Sequence, residues 1–229
     1  MALVVLVIQR RSIVTICLLL IWLAVFGVVW AQLLPTRKLV VIDPGHGGID
    51  GGTSGGGLVE KDINLRMGHI LRGVLENNNY KVVMTRTDDS DVTHFVPKVG
   101  SRYQRDLKGR VKLTEKAQPC GLISLHVNWH KEAWRRGAIV YYQAGEKSGL
   151  MLAELIQKEL NTIQETQRQA RAADFYVLRN TDVPGVLVEI GFISNPDDRR
   201  AMQDHNWLAR QAEAIMNGLE IFLQQRTPM

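Results

Sequence analysis

Short runs of apolar residues alternate along the chain with segments in which apolar residues recur at helical spacing. Short, β-branched apolar runs predict buried strands, and a period of 3.6 residues predicts helices that pack one face against a core. The predicted strands cover residues 39–42, 80–85, 122–127, 137–142, 175–178 and 185–190, and the predicted helices cover residues 61–79, 106–116, 148–165 and 204–225. Residues 87–105 predict a long loop, and residues 191–198 predict a turn. Strands that alternate with helices in this way indicate a single α/β domain with a mostly parallel sheet flanked by helices.

The N-terminal segment has a different composition. Residues 12–36 contain no charged side chain, and residues 13–34 are almost entirely apolar, which is long enough for a helix that spans a bilayer. A cleaved signal peptide is the alternative, with Val29-Trp30-Ala31 as a weak cleavage site. The length of the run and the bulk of its tryptophan favour the anchor. We therefore expect a membrane anchor or signal segment at residues 1–36 and an exported catalytic domain at residues 37–229, at the membrane or in the cell wall.

The net charge limits the kinds of partner that the protein binds, and the cysteine content excludes an internal disulfide bond in residues 37–229. The 229 residues carry a formal net charge of +5, and the basic residues are interleaved with acids. This pattern does not indicate nucleic-acid binding, although a mildly basic domain is compatible with an anionic polymer as its neighbour. The cysteines are Cys17 and Cys120, so residues 37–229 contain a single cysteine and form no internal disulfide bond. The core alone must stabilise that domain.

A glycine-rich loop follows the first predicted strand. Its sequence is Asp43-Pro44-Gly45-His46-Gly47-Gly48-Ile49-Asp50. The proline and glycines end the strand abruptly and expose His46 at its carboxyl end, where open α/β sheets bind ligands. A phosphate-binding loop is excluded because the Gly-Lys-Ser/Thr signature is absent and Asp43 and Asp50 would repel phosphate. A metal site suits a histidine among acids and glycines, and a solvated turn with an incidental histidine is the alternative.

Three more residues have a related placement. His126 and Glu189 lie at the ends of later strands, and Glu60 begins the first helix. The carboxyl ends of parallel strands meet at one edge of a sheet, and a helix that follows a strand begins there, so these residues can converge on His46. Two histidines and two glutamates suit a catalytic zinc site. Three protein ligands would leave a position for water, and the remaining carboxylate would take a proton from that water.

Each of these residues also has a simpler explanation. Glu60 could be an acid that the helix dipole favours, and His126 could be a core histidine at a strand end. Glu189 is harder to explain, because a carboxylate in the apolar run 186–191 costs free energy unless it is paired or functional. Asp43 is a candidate partner for a metal-ligating histidine.

Five sequence motifs occur in an order that identifies a known family. They are Asp43-Pro44-Gly45-His46-Gly47-Gly48, Glu60-Lys61, Thr85-Arg86-Thr87-Asp88, Ser124-Leu125-His126-Val127-Asn128 and Val188-Glu189-Ile190-Gly191-Phe192-Ile193-Ser194-Asn195. Residues 38–225 resemble the zinc-dependent N-acetylmuramoyl-L-alanine amidases of bacterial cell walls, the amidase type 3 family. The resemblance implies a six-stranded sheet, one Zn²⁺ ion held by His46, Glu60 and His126, and Glu189 as the catalytic acid and base. The implied reaction is hydrolysis of the amide between N-acetylmuramic acid and L-alanine in peptidoglycan.

Within this family the chain is most similar to the enzymes that mature the endospore cortex. The likeness depends on an N-terminal segment joined to a bare catalytic domain, and on residues 101–113. It implies removal of stem peptides from the cortex before muramic-δ-lactam forms. A vegetative cell-wall amidase, a zinc peptidase and a non-catalytic peptidoglycan-binding protein are the alternatives. Too few residues separate His126 from Gly137 for the inserted helix that plugs some division amidases, so we expect control by a partner protein or by expression timing.

Overall fold

The computed structural model describes residues 13, 15–23, 26 and 38–226, and the chain divides into two units, Met1–Arg37 and Lys38–Met229. The described residues of the first unit are helical. Within the described ranges, no helix is both long and apolar enough to cross a membrane. The anchor or signal segment predicted at residues 1–36 lies largely outside the described residues.

The second unit contains a six-stranded sheet, which confirms the predicted α/β class and the mostly parallel arrangement. The strands of the unit are β1 (Leu39–Pro44), β2 (Ser54–Gly55), β3 (Leu58–Val59), β4 (Lys81–Met84), β5 (Gly121–Asn128), β6 (Ile139–Tyr142), β7 (Arg171–Ala172) and β8 (Gly185–Phe192). Their order in the sheet is β4-β1-β5-β8-β6-β7, and β2 and β3 form a separate hairpin. The first four strands of the sheet are parallel, whereas β6 runs antiparallel to β8, and β7 runs parallel to β6.

The four predicted helices lie close to their predicted positions, and two short helices occur where none was predicted. They are α1 (Glu60–Asn77), α2 (Arg102–Ala117), α3 (Lys147–Gln164), α4 (Tyr176–Arg179), α5 (Pro196–Ala201) and α6 (His205–Arg226). Helix α2 begins inside the predicted loop because Ser101 and Gln104 form a reciprocal capping box. Helix α5 replaces the end of the predicted turn, because the side chain of Asn195 accepts hydrogen bonds from the first backbone N–H groups of that helix.

The strand predicted at residues 175–178 is wrong. Most of that segment belongs to α4, and the sixth strand is instead β7, which precedes it. Val177 and Leu178 are buried against the sheet from the helix. A run of four apolar residues satisfies either structure, so periodicity could not distinguish a strand from a helical turn.

Two apolar layers cover the two faces of the sheet. Helices α1, α3 and α6 pack on the face that contains Val40, Leu125 and Val188, whereas α2 and α4 pack on the face that contains Leu122 and Leu187. Side chains alternate between the two faces along a strand, so every second residue near the carboxyl ends of the parallel strands also lies on the second face. The second face therefore carries polar side chains near those ends, and they are Asp43, Ser124, His126 and Glu189.

Candidate active site

The first histidine of the predicted site lies after β1, in a loop whose backbone is held by buried arginines. His46 has a φ of 63°, in the left-handed region that is uncommon for residues other than glycine. Arg110 donates hydrogen bonds to the carbonyl oxygens of Pro44 and His46, at 2.8 and 2.6 Å. Arg86 donates to those of Pro44 and Gly45, at 2.9 and 3.0 Å. These contacts fix the unusual backbone conformation of the loop.

Two buried carboxylates in turn hold Arg110, which is only 2% exposed. Its guanidinium lies 2.7 Å from Asp43 and 2.8 Å from Asp106. Asp43 also accepts hydrogen bonds from the hydroxyl groups of Thr85 and Ser124. Burial raises the pKa of Asp43, but Arg110 and the two hydroxyls outweigh burial and keep that pKa below its ordinary value. The expectation that Asp43 supports a ligating histidine directly is therefore wrong, since it orients the arginine that holds the loop.

Glu60 is the first residue of α1, and its carboxylate is held by backbone donors. Oε2 accepts a hydrogen bond from the N–H of Thr53 at 2.8 Å, and Oε1 accepts one from the N–H of Val127 at 3.0 Å. The N-terminus of the helix also favours a negative charge at this position. The carboxylate is thus buried, ionised and oriented before any metal binds.

The structure brings Glu60 together with both predicted histidines. Its Oε1 atom lies 3.2 Å from His46 Nε2 and 3.0 Å from His126 Nδ1. Possible ligand atoms of the three residues all lie within 4.8 Å of one another. Tetrahedral zinc with bonds of about 2.0–2.1 Å places neighbouring ligand atoms roughly 3.3 Å apart. The donor set therefore fits zinc, and the two separations from Glu60 Oε1 lie within a few tenths of an ångström of that value.

Asp50 supports this site, a role that was not predicted for it from the sequence. Its Oδ2 atom lies 3.0 Å from His46 Nδ1, four residues earlier. A carboxylate on the second ring nitrogen fixes the tautomer and orientation of a metal-binding histidine. The spacing of His46 and Asp50 in one glycine-rich loop was the signal that could have indicated this contact.

The charges of the site are strongly coupled. Burial lowers the pKa of His46, but hydrogen bonds and charges from Glu60 and Asp50 outweigh it and raise that pKa to about 9. Burial would raise the pKa of Glu60, but hydrogen bonds from His126 and His46 keep it far below its ordinary value. The cluster therefore has a buried negative charge that attracts a cation.

The fourth predicted residue lies beside this cluster. Glu189 on β8 is in register with His126 on β5, so the two side chains occupy neighbouring positions on the same face of the sheet. Glu189 Oε2 is buried and has no hydrogen-bond partner among the described residues. Burial, followed by the negative charge of Glu60, raises the pKa of Glu189 to about 8. A buried carboxyl group with an unpartnered oxygen and a pKa near neutrality is suited to exchange a proton with a ligand.

Solvent reaches the histidines through a small cleft. It has a volume of about 60 Å³ and is lined by His46, His126, Tyr103 and Val177 among others. A larger depression of about 640 Å³ lies beside α3 and contains none of the four predicted site residues. Converging ligand atoms and an unpartnered carboxyl group identify the site more specifically than the volume of a depression does.

Comparison with known proteins gives consistent results. A sequence profile described as N-acetylmuramoyl-L-alanine amidase matches residues 40–221. The germination-specific N-acetylmuramoyl-L-alanine amidase of Bacillus subtilis is 34% identical over 195 residues, which cover 83% of this chain and 82% of that protein. The probable cell wall amidase LytH of Staphylococcus aureus is 32% identical over 191 residues, which cover 81% of this chain and 58% of LytH. The CwlD amidase of Clostridioides difficile, solved in complex with the GerS lipoprotein, superimposes with a TM-score of 0.77 at 29% identity and covers 82% of this chain and all of that one.

Proposed function

Since the chain belongs to the N-acetylmuramoyl-L-alanine amidase family and is a peptidoglycan amidase, we propose that it uses zinc to hydrolyse the amide between N-acetylmuramic acid and L-alanine. The observation that carries the proposal is the convergence of two histidines and a glutamate beside a fourth, unpartnered carboxyl group. His46, Glu60 and His126 would hold the ion. Bound zinc would supply a Lewis acid that polarises the scissile carbonyl and makes a water molecule more acidic.

Glu189 performs the proton transfers in this proposal. The register of Glu189 with His126, on the same face of the sheet, supports a position for its carboxyl group next to the reacting carbonyl. As a base, the carboxylate takes a proton from the attacking water. It then donates that proton to the amine nitrogen of L-alanine as the amide bond breaks. A cation held by the three ligands would lower the pKa of this carboxyl group and so favour the ionised base.

The other polar residues of the site act on geometry. Asp50 holds the ring of His46, and two backbone N–H groups hold the carboxylate of Glu60. Arg110 and Arg86 hold the backbone of the histidine loop. Because these contacts exist within the protein alone, the ligands need little reorganisation when the metal binds.

We further propose that the substrate is the peptidoglycan of the spore cortex. The B. subtilis relative is described as germination-specific, and the alignment with it spans most of both chains. Residues 1–36 would export the catalytic unit and, where they are not cleaved, anchor it to the membrane. A vegetative cell-wall amidase is the second candidate, because the similarity to LytH is almost as high.

A partner protein is a suitable means of control. In the part of the chain that the structure describes, residues 129–138 contain no helix, so no inserted helix from this segment covers the site. The CwlD amidase of C. difficile was solved with the GerS lipoprotein. We propose that this chain is likewise controlled by a second protein and not by self-inhibition.

Mass spectrometry of digested peptidoglycan tests the proposal. The full chain would be incubated with purified cortex and, separately, with vegetative wall, each with and without a chelator. We expect the release of intact stem peptides with a free L-alanine amine, while muramic acid stays in the glycan. A chelator should prevent this release. New amines found only inside the stem peptide would indicate a peptidase. Binding without any cleavage would indicate a non-catalytic wall protein, and faster release from vegetative wall would favour the second candidate.

A further inference from the structure

Beyond Glu189, the second face of the sheet continues as a row of side chains on β6 and β7. Tyr141 on β6 is in register with Leu187, which lies two residues before Glu189 on β8 and on the same face. Arg171 on β7 is in turn in register with Tyr141. The ring of Tyr141 packs edge-on against Phe175 at a centroid distance of 5.5 Å. The row therefore has an aromatic middle and an arginine at its far end.

The distance along this row follows from strand geometry. Neighbouring strands lie about 4.8 Å apart and successive same-face residues about 6.6 Å apart, so the Cα atoms of Arg171 and Glu189 are roughly 12 Å apart. An extended peptide advances about 3.3 Å per residue. A substrate whose scissile amide lies at Glu189 can thus bring one of its next three residues within reach of Arg171.

A second arginine reinforces the positive charge of this end. The guanidinium of Arg168 lies 5.9 Å from the ring centroid of Phe192 and donates to the carbonyl oxygen of Arg136 at 2.5 Å. Arg168 lies three residues before Arg171 in the chain, and burial, followed by the charges of Arg171 and Arg135, lowers its pKa.

The protein itself does not neutralise these charges. Among residues 38–226, no carboxylate lies within ion-pair distance of Arg168 or Arg171. Asp198 acts on Arg168 from a distance, but its Oδ2 atom already accepts hydrogen bonds from the N–H groups of Phe192 and Gly137. Arg171 is exposed. An anion from outside the chain is therefore the natural partner for this end of the row.

We propose that Arg171, reinforced by Arg168, binds a carboxylate of the stem peptide within the first three residues beyond the scissile bond. This inference rests on the proposed function, because it takes the scissile amide to lie at Glu189. The residue that follows L-alanine in stem peptides is a glutamate whose α-carboxyl group is free in some walls and amidated in others. The arginines would make the enzyme prefer the free carboxylate.

Two matched muropeptides test this, one with a free and one with an amidated glutamate α-carboxyl group. With the zinc-loaded full chain, we expect kcat/KM to be roughly 10-fold to 100-fold higher for the free carboxylate, the range of one charged hydrogen bond. Arg171→Gln should remove that preference by raising KM for the free carboxylate, with turnover of the amidated substrate unchanged. Arg171→Lys should retain part of the preference, and Arg168→Gln should reduce it.

Arg72→Gln is the control, because that arginine is exposed on α1 and pairs with Glu76. It should leave both substrates unchanged. Equal turnover of the two muropeptides by the wild-type chain would overturn the inference while the amidase proposal stands. An equal loss of kcat/KM on both muropeptides in Arg171→Gln, with normal zinc content and a normal circular dichroism spectrum, would also overturn the inference. Failure of the zinc-loaded wild-type chain to cleave either muropeptide, purified cortex or vegetative wall would overturn the proposed function and this inference together.

Discussion

Replacement of the buried Arg110 by methionine should destabilise the protein strongly, because this side chain connects the core to the histidine loop. The substitution retains an unbranched chain of similar reach and removes the guanidinium. Asp43 and Asp106 then lose the cation that lies 2.7 and 2.8 Å away. Loss of one partner of a buried ion pair costs about 3–5 kcal/mol, because the remaining charge is desolvated and uncompensated. Each carboxylate keeps other hydrogen-bond donors, so we expect one such cost and not two.

Urea unfolding in a chelator measures this cost free of any change in zinc binding. We expect Arg110→Met to lower the free energy of unfolding by about 3–5 kcal/mol. The double variant Arg110→Met with Asp43→Asn should be less destabilised than the sum of the single variants by roughly 1–3 kcal/mol, because the second change removes the orphaned charge. The exposed Arg72→Met is the control and should cost at most about 1 kcal/mol. A loss below about 1 kcal/mol for Arg110→Met, or strict additivity in the double variant, would refute the reasoning.

Three further predictions concern the metal cluster. Glu189→Gln should abolish turnover and leave the zinc content unchanged, whereas His126→Ala should lower the zinc content. Elemental analysis measures both contents, and equal zinc loss in the two variants would show that the roles are exchanged. Gly45→Ala should weaken zinc binding by roughly tenfold or more, because the added Cβ atom would lie 2.2 Å from the ring of His126. The control is Gly73→Ala, whose added Cβ atom meets nothing within 4 Å and which should bind zinc normally in a competition titration. In the metal-free protein, His46 has a pKa raised from 6.5 to about 9, so its contribution to stability is complete below pH 6.5 and is lost as the pH rises through 9. Thermal melts in a chelator should show a decrease of Tm across that range, and an increase would contradict the assigned contacts.

The sequence was sufficient to predict that the candidate residues at strand ends converge. His46, His126 and Glu189 each follow or end an apolar run, and parallel strands necessarily bring such residues to one edge. Glu60 follows by the same reasoning, because α1 begins at that edge. The six-stranded α/β fold was predictable from the alternation of strands and helices, together with the family resemblance.

The contacts that hold the site were not predictable by the same means. Arg110 lies on an otherwise polar helix, and its partners Asp43 and His46 are more than 60 residues away in the sequence. A sequence pattern gives each residue's own preference, and arginine on a polar helix is normally exposed. The location of β7 was missed for a related reason, since Arg171 and Ala172 form a strand only because β6 offers a free edge.

The arrangement of arginines around the histidine loop has a consequence for the order in which folding and metal binding occur. The loop conformation is maintained by hydrogen bonds from Arg110 and Arg86, and zinc contributes nothing to them. A polypeptide that binds zinc as proposed could therefore fold first and acquire its ion afterwards, unlike small zinc domains that are unfolded without metal. Supply of zinc would then determine how many of the molecules are active without changing how many are folded, so that a cell could store the protein in an inactive form.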